Sequence, residues 1–257
     1  MGSAAAILKS RWFPVTLGMT TIVAVFALLE LLLKIGVVNR YIVPFPSDVV
    51  LALERIIVEE NVPGRIRETA FEMVVSCIMV IVIGVPIGTA LYRYCALRRA
   101  ILDWVAAMAA APLVLAFPLF LVLFGRSSLT IIVMSIITGL APIIIKTTEG
   151  LVGVRPVLMN VGKSLKLTDS QMFWKILMPA ALPVIFSGIR LSWTFVLISV
   201  VGIEFLINLG GLGQLINDLA ERYDLPGTYA AISFVIIVSV GFFMLLERVE
   251  QWLRPTR

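Results

Sequence analysis

The chain has 257 residues, of which 60% are hydrophobic and 14% are charged, and its mean hydropathy is +1.04. A soluble domain usually carries about 25% charged residues, so a chain this apolar is expected to lie in a lipid bilayer. The net charge of +5 comes without a basic run interleaved with stacking aromatic residues, which argues against nucleic-acid binding, and the absence of histidine argues against an intramembrane enzyme.

Stretches of about 20 mostly apolar residues are long enough to cross a bilayer as helices. The first stretch exceeds the roughly 7–15 apolar residues of a signal peptide, so we expect it to be retained as a span. Only residues 125–128 separate the third stretch from the fourth, which predicts a tight hairpin. Six stretches meet the requirement, at 13–35, 69–91, 101–124, 128–146, 181–207 and 228–246.

Six spans place both termini on the same side of the membrane. With the N-terminus inside, most of the 21 Lys and Arg residues fall in the interior segments, so the positive-inside rule predicts that both termini are cytoplasmic. We expect three parts: a tail and first span at 1–36, an external segment at 37–68, and a five-span core at 69–257 that contains a cytoplasmic loop at 147–181.

Two external segments contain more than a simple turn. Pro44, Pro46 and Ser47 mark a helix start, and apolar residues recur at helical spacing over 49–57, which predicts a short amphipathic helix at the outer interface. The second segment, 210–218, is rich in glycine. Its composition is compatible with a re-entrant turn near a pathway and with an ordinary flexible loop.

Several acidic residues lie within the predicted spans. Glu30, Glu72 and Glu204 lie in predicted spans, and we expect Glu72 and Glu204 at the outer interface, facing solvent or a basic residue. Cys77 and Cys95 lie on different segments without a neighbouring cysteine, which predicts two free thiols. Four prolines, each expected to kink its helix, also fall within spans: Pro86, Pro112, Pro118 and Pro142.

The loop at 147–181 is the longest interior loop, and its pattern predicts two short helices. Pro156 starts the first, and Thr168 with Gln171 forms a capping box that opens the second, which is expected to end before Pro179. Such helices could lie on lipid headgroups or insert into a groove of a partner. The first helix carries apolar residues at Leu158, Val161, Leu165 and Leu167.

The same loop contains Gly162-Lys163-Ser164, which is similar to the end of a phosphate-binding loop. That motif needs a glycine five residues earlier, where Val157 stands, and a preceding strand, whereas the flanks here are predicted to be helical. We therefore do not expect the chain to bind a nucleotide.

The end of the loop and the start of the fifth span resemble the permease subunits of bacterial ABC importers, in the nitrate, sulfonate and taurine branch. The resemblance covers nearly the whole chain in order. It is carried by Leu177-Met178-Pro179-Ala180-Ala181-Leu182-Pro183 with Gly188-Ile189-Arg190-Leu191, by Pro44-Phe45-Pro46-Ser47, by Ile83-Gly84-Val85-Pro86-Ile87-Gly88, by Leu102-Asp103, by the 112–125 stretch, by Glu204-Phe205-Leu206 and by Gly211-Leu212-Gly213.

The resemblance implies an all-α integral membrane protein with the six-helix fold of a type I ABC importer permease and coupling helices between spans 4 and 5. It implies a second permease, either a copy or a paralogue, two ATPase subunits that bind ATP and Mg, and an external binding protein in a bacterial inner membrane. The chain itself would bind no cofactor or metal and catalyse nothing. It would form the path for a small polar or anionic nutrient, with candidate path residues Pro112, Pro118, Glu204, Gly211 and Gly213.

In that family the loop carries the pattern E-A-A-x-x-x-G. Here the glutamate position holds Asn160, the alanine positions hold Val161 and Gly162, and the glycine position holds Lys166, which could take a left-handed conformation only with strain. The altered pattern fits pairing with a more regular permease and fits divergence within a homodimer. The resemblance implies an ATPase-coupling set of Asn160, Val161, Gly162, Lys163, Ser164, Leu165, Lys166, Leu167, Thr168, Asp169, Gln171 and Pro179.

The alternative function is an ion- or proton-coupled secondary transporter. That class predicts paired acids within the membrane and inverted repeats. The acids of this sequence are scattered along the chain and no repeat is evident, which favours the importer permease.

Overall fold

The computed structural model describes residues 13–253, with side chains from residue 16 onward to 245 and at 247–248. The predicted N-terminal tail and the last basic residues therefore lie outside the described part. Within 13–253 the ordered elements are all helices, as the apolar stretches predict. The chain divides into two compact units, Met1–Asn61 with Leu219–Phe234, and Val62–Asp218 with Val235–Arg257.

The first unit contains the first apolar helix, α1 (Phe13–Ile35), and the predicted amphipathic helix, α2 (Pro46–Glu59). Proline stands in the first turn of α2, and Ala52 and Ile56 on one face are buried, which confirms the predicted helix. Two ion pairs in this unit tie α2 to the residues just after 218: Arg55 with Asp224, and Arg222 with Glu60.

The remaining helices follow in chain order. Five described stretches are long and apolar enough to cross a membrane: α1, α3, α6, the continuous stretch from α8 to α9, and α11. The elements are α3 (Val62–Arg93), α4 (Cys95–Ala110), a 3₁₀ turn (Leu113–Ala116), α5 (Phe117–Phe124), α6 (Ser128–Val152), α7 (Pro156–Ser164), α8 (Asp169–Met172), a π turn (Phe173–Leu177), α9 (Met178–Ile207), α10 (Gly211–Glu221) and α11 (Leu225–Leu253).

The third predicted span is not one helix. Helix α4 and the stretch 113–124 meet at a bend of 86°, so they form either a broken span or a re-entrant segment. Pro112 causes the break because its ring cannot donate a backbone hydrogen bond, and Ala111 before it is extended with ψ 136°. The predicted tight connection between the third and fourth stretches is confirmed by the short gap between α5 and α6.

The core of the second unit is the packing of α6 against α3 and α9. Small residues permit this close approach, as membrane helices require. A Cβ on Gly139 would lie 2.7 Å from a Val196 methyl group, and one on Gly188 would lie 2.5 Å from Cβ of Lys146. Buried hydroxyls add polar contacts, for example Ser192 Oγ, which donates to the Gly139 carbonyl at 2.6 Å.

Two helix ends next to residues 147–181 differ from the prediction. Helix α6 continues to Val152 and does not end near residue 146. The second short helix does not stop before Pro179, because α8, the π turn and α9 form one continuous stretch from Asp169 to Ile207. In the π turn the Met178 N–H donates to the Phe173 carbonyl, and this wider turn makes room for the ring of Pro179.

Candidate functional site

Helix α7 lies in the loop between α6 and α9 with one face packed against α8 and the π turn, and Gly162 is the point of closest contact. A Cβ at this position would lie 2.5 Å from Met172 Sδ and 2.7 Å from Ile176 Cδ1. Met159, one turn earlier, packs against the same buried cluster, which includes Leu151 at the end of α6. The absence of a side chain at Gly162 therefore seats α7 directly on the α8 and π-turn segment.

The outer face of α7 carries exposed apolar residues. The exposed fractions are 69% for Val157, 49% for Val161 and 66% for Leu165, and Leu158 and Trp174 are also exposed. Val157, Val161 and Leu165 recur four positions apart and Leu158 stands three positions before Val161, so these four residues form one stripe at α7, whereas Trp174 lies in the π turn. An exposed apolar stripe on a short rigid helix is the arrangement that fits into a groove of a partner.

The turn after α7 confirms the expected strain at Lys166, whose φ is +51°. The Lys166 N–H donates to the Lys163 carbonyl at 2.9 Å, and the Leu167 N–H donates to the Gly162 carbonyl at 3.1 Å. This is the Schellman hydrogen-bond pattern, in which the left-handed position is usually glycine. The family's glycine at this position thus has a physical reason, and Lys166 occupies the same conformation at a cost.

The predicted capping box at the start of α8 is also confirmed. The Gln171 N–H donates to the Thr168 hydroxyl at 3.3 Å, and the Thr168 N–H donates to the Gln171 side-chain oxygen at 3.1 Å. Asp169 stands in the first turn, where a carboxylate interacts favourably with the helix N-terminus. Because α8 continues into α9, this cap also fixes the start of a membrane-spanning helix.

A second polar assembly lies at the start of α10, where the glycine-rich segment is helical and not a flexible loop. Gly211 has φ +76°, and a Cβ there would lie 2.1 Å from a Glu204 carboxylate oxygen. The free N–H groups of this helix start are bound by side chains of α3 and α9: Gly211 donates to Glu68 at 3.0 Å, Leu212 to Thr69 at 2.8 Å, and Gly213 to Glu204 at 2.8 Å.

Glu72 and Glu204 are not at a solvated interface, which corrects the expectation from sequence. Both are buried, at 3% and 0% exposure, and the two carboxyl groups interact with each other. The two acids come from α3 and α9, more than 130 positions apart, so no local pattern could pair them. One oxygen of each carboxyl, Glu72 Oε2 and Glu204 Oε1, has no hydrogen-bond partner.

The candidate path residues fall into two places. Glu204, Gly211 and Gly213 lie together in the assembly at the start of α10. Pro112 and Pro118 lie in the bent segment, where both are exposed. That segment packs inward through Val114, Phe117 and Phe120 and exposes Leu115, Leu119, Val122 and Leu123.

The remaining reactive and charged side chains singled out from the sequence are the two cysteines and Glu30. Cys77 is buried and Cys95 is exposed, and both are free, as predicted. Glu30 forms an ion pair with Lys34 at 2.9 Å. Among the described residues, no group of three or more His, Cys, Asp and Glu side chains is placed to hold a metal ion.

The apolar helices and the bent segment define an integral membrane protein. The chain belongs to the family described as the binding-protein-dependent transport system inner membrane component, whose sequence model matches residues 74–255. It is the transmembrane permease subunit of an importer of this family. Membership of this family excludes the alternative function, an ion- or proton-coupled secondary transporter.

Relatives and solved structures agree with the family. The chain is 26% identical to SsuC of Bacillus subtilis, assigned to aliphatic sulfonate transport, over 87% of this chain and 82% of the relative. It is 31% identical to the nitrate import permease NrtB of Synechocystis, over 67% and 60% of the two chains. Its fold is similar to a chain of the MetNI methionine ABC transporter in an inward-facing conformation, with TM-score 0.66, 19% identity, and coverage of 76% and 96%. This fold similarity confirms the type I importer fold.

The conformation of Lys166 predicts a stabilising substitution. Lys166→Gly should raise stability by about 1 kcal/mol, because glycine adopts a left-handed conformation without the contact of Cβ with its carbonyl. Lys163→Gly is the matched control and should lower stability by about 1 kcal/mol, because that position is inside α7. Thermal unfolding midpoints of the two purified variants measure these changes in stability. Shifts in the same direction would contradict the left-handed conformation at position 166.

Glu204 should hold the start of α10. Glu204→Ala should lower stability by about 1–3 kcal/mol, because the buried Gly213 N–H would lose its acceptor. Glu204→Gln keeps an acceptor and should lose less. Exposed Glu54→Ala serves as the control. Thermal unfolding and limited proteolysis near residue 211 measure the effect, and a Glu204→Ala variant as resistant as the wild type would refute this role.

Proposed function

We propose that the chain is the permease of an ATP-driven importer and is coupled to its ATPase subunits through α7. The observation that carries this proposal is the outer stripe of Val157, Val161 and Leu165, exposed on a helix whose inner face is seated without a gap at Gly162. A helix with exposed apolar residues fits a groove in a partner protein. The family assignment favours this partner over a lipid surface.

The connection from α7 to the spans supports a mechanical role. Helix α7 contacts the π-turn segment, and that segment continues directly into α9. A displacement of α7 would therefore move the end of a spanning helix without an intervening flexible link. ATP binding in the partner would close the two ATPases together and hydrolysis would let them separate, and this cycle would move the loops and switch the cavity between inward-open and outward-open states.

The assembly would contain two permeases, two ATPase subunits that bind ATP and Mg, and an external binding protein. The second permease is either a copy of this chain or a paralogue. The exposed apolar residues of the bent segment, among them Leu119 and Val122, supply a surface that a second permease could cover. We propose that both termini are cytoplasmic, as the distribution of basic residues indicates.

The relatives support a proposal for the substrate class. One relative is assigned to aliphatic sulfonates and another imports nitrate, which suggests a small polar or anionic nutrient for this chain. The path would lie along the bent segment with Pro112 and Pro118. The assembly of Glu204, Gly211 and Gly213 would position α10 at the external end of that path.

A substitution on the stripe tests the coupling surface. Val161→Asp should weaken association with the ATPase subunit about 30-fold or more, because the interface would bury a carboxylate without a partner. Val58→Asp is the matched control, since Val58 is a 79% exposed residue of α2 on the predicted external side. Association is measured with purified ATPase and permease in lipid nanodiscs.

Equal binding of wild type and Val161→Asp would refute α7 as the docking helix. Loss of binding by both variants would also count against the proposal, because Val58 lies on the side of the membrane that the ATPase cannot reach.

A further inference from the structure

We infer that the ATPase groove that receives α7 is asymmetric, with one apolar wall and one acidic wall. This inference rests on the proposed function, since it describes the partner surface that α7 would contact. It follows from the order of side chains around α7, from the charges of the loop, and from the residue at position 160.

The outer half of α7 has two different edges. At 100° per residue, the exposed residues run around the helix from Lys163 through Asn160 and Ser164 to Val157 and Val161. Leu158 follows at the far apolar edge and Gly162 marks the buried side. A groove that encloses this outer half would therefore meet apolar side chains on one wall and the Lys163 ammonium group on the other.

The charge around α7 is basic. Arg155, Lys163 and Lys166 are exposed, and none of the three forms an ion pair with another described residue. Helix α7 itself carries no acid. The nearest acid in the following segment, Asp169, stands at the N-terminus of α8, which already stabilises its charge.

Position 160 makes the charge of Lys163 available to a partner. Residues three apart on a helix are neighbours, so a glutamate at 160 would pair with Lys163 on the surface of α7 itself. Asn160 is neutral, so the Lys163 ammonium group, which stands in the last turn of α7, has no acidic side chain as a partner among the described residues. An opposing carboxylate on the partner is the group that complements it, and charges at the edge of an interface act mainly on the association rate.

The test measures association rate constants for the purified ATPase subunit of this transporter and the permease in nanodiscs of zwitterionic lipid, at 50 and 300 mM NaCl. The wild type should associate more slowly at high salt, because exposed charges are screened. Lys163→Glu should lower the rate about 10-fold at low salt, and Lys163→Met should flatten the salt dependence. Asn160→Glu should shift the rate in the same direction as Lys163→Glu.

Arg40→Glu is the control, since it makes the same charge change on the predicted external side, where Arg40 lies over the Tyr41 ring. Unchanged or faster association of Lys163→Glu, while Val161→Asp abolishes binding, would refute the acidic wall and leave the docking role intact. Binding that survives Val161→Asp would refute the docking role itself. A charge effect seen only in nanodiscs with anionic lipid would assign Lys163 to lipid headgroups and overturn the inference.

Discussion

The close packing of α6 against α3 and α9 is the contact on which the rest of the structure depends. Lipid gives no hydrophobic drive to helix association, so this packing rests on small residues and on buried hydroxyls. The Thr148 hydroxyl, for example, donates to the Gly88 carbonyl of α3 at 3.1 Å. Because α6 and α9 are held in this way, the loop that joins them starts and ends on fixed helices.

The loop between α6 and α9 presents one face of α7 to the surface and packs the other face against the segment that leads into α9. Because Gly162 has no side chain, α7 packs directly against α8 and the π turn. These two elements continue without a break into α9, which is long and apolar enough to cross the membrane. The strained backbone at Lys166 keeps the Schellman turn that a glycine would form without cost. The Schellman turn thus forms in this chain with lysine at the position where the motif usually has glycine.

The apolar stretches, the amphipathic helix at Pro46 and the capping box at Thr168 could be predicted, because each depends on nearby residues. The left-handed turn at Lys166 could be expected only from the glycine that the family carries at this position. The bend near Pro112 could not be distinguished from a kink, since the ring removes one hydrogen bond in either case. The pairing of Glu72 with Glu204 could not be predicted, because only the packing of α3 on α9 brings them together. The exposed stripe of α7 is visible in the fold of one chain, but the partner that covers it is inferred from the family.

The most direct test of the account is a site-specific photo-crosslink in the assembled transporter. A photo-reactive side chain at position 161, on the exposed stripe of α7, should form an adduct with the ATPase subunit. The same group at position 58, on the exposed side of α2, should form none. An assembled complex that gives no adduct at 161, or an equal adduct at both positions, would contradict the claim that α7 joins this permease to its ATPase.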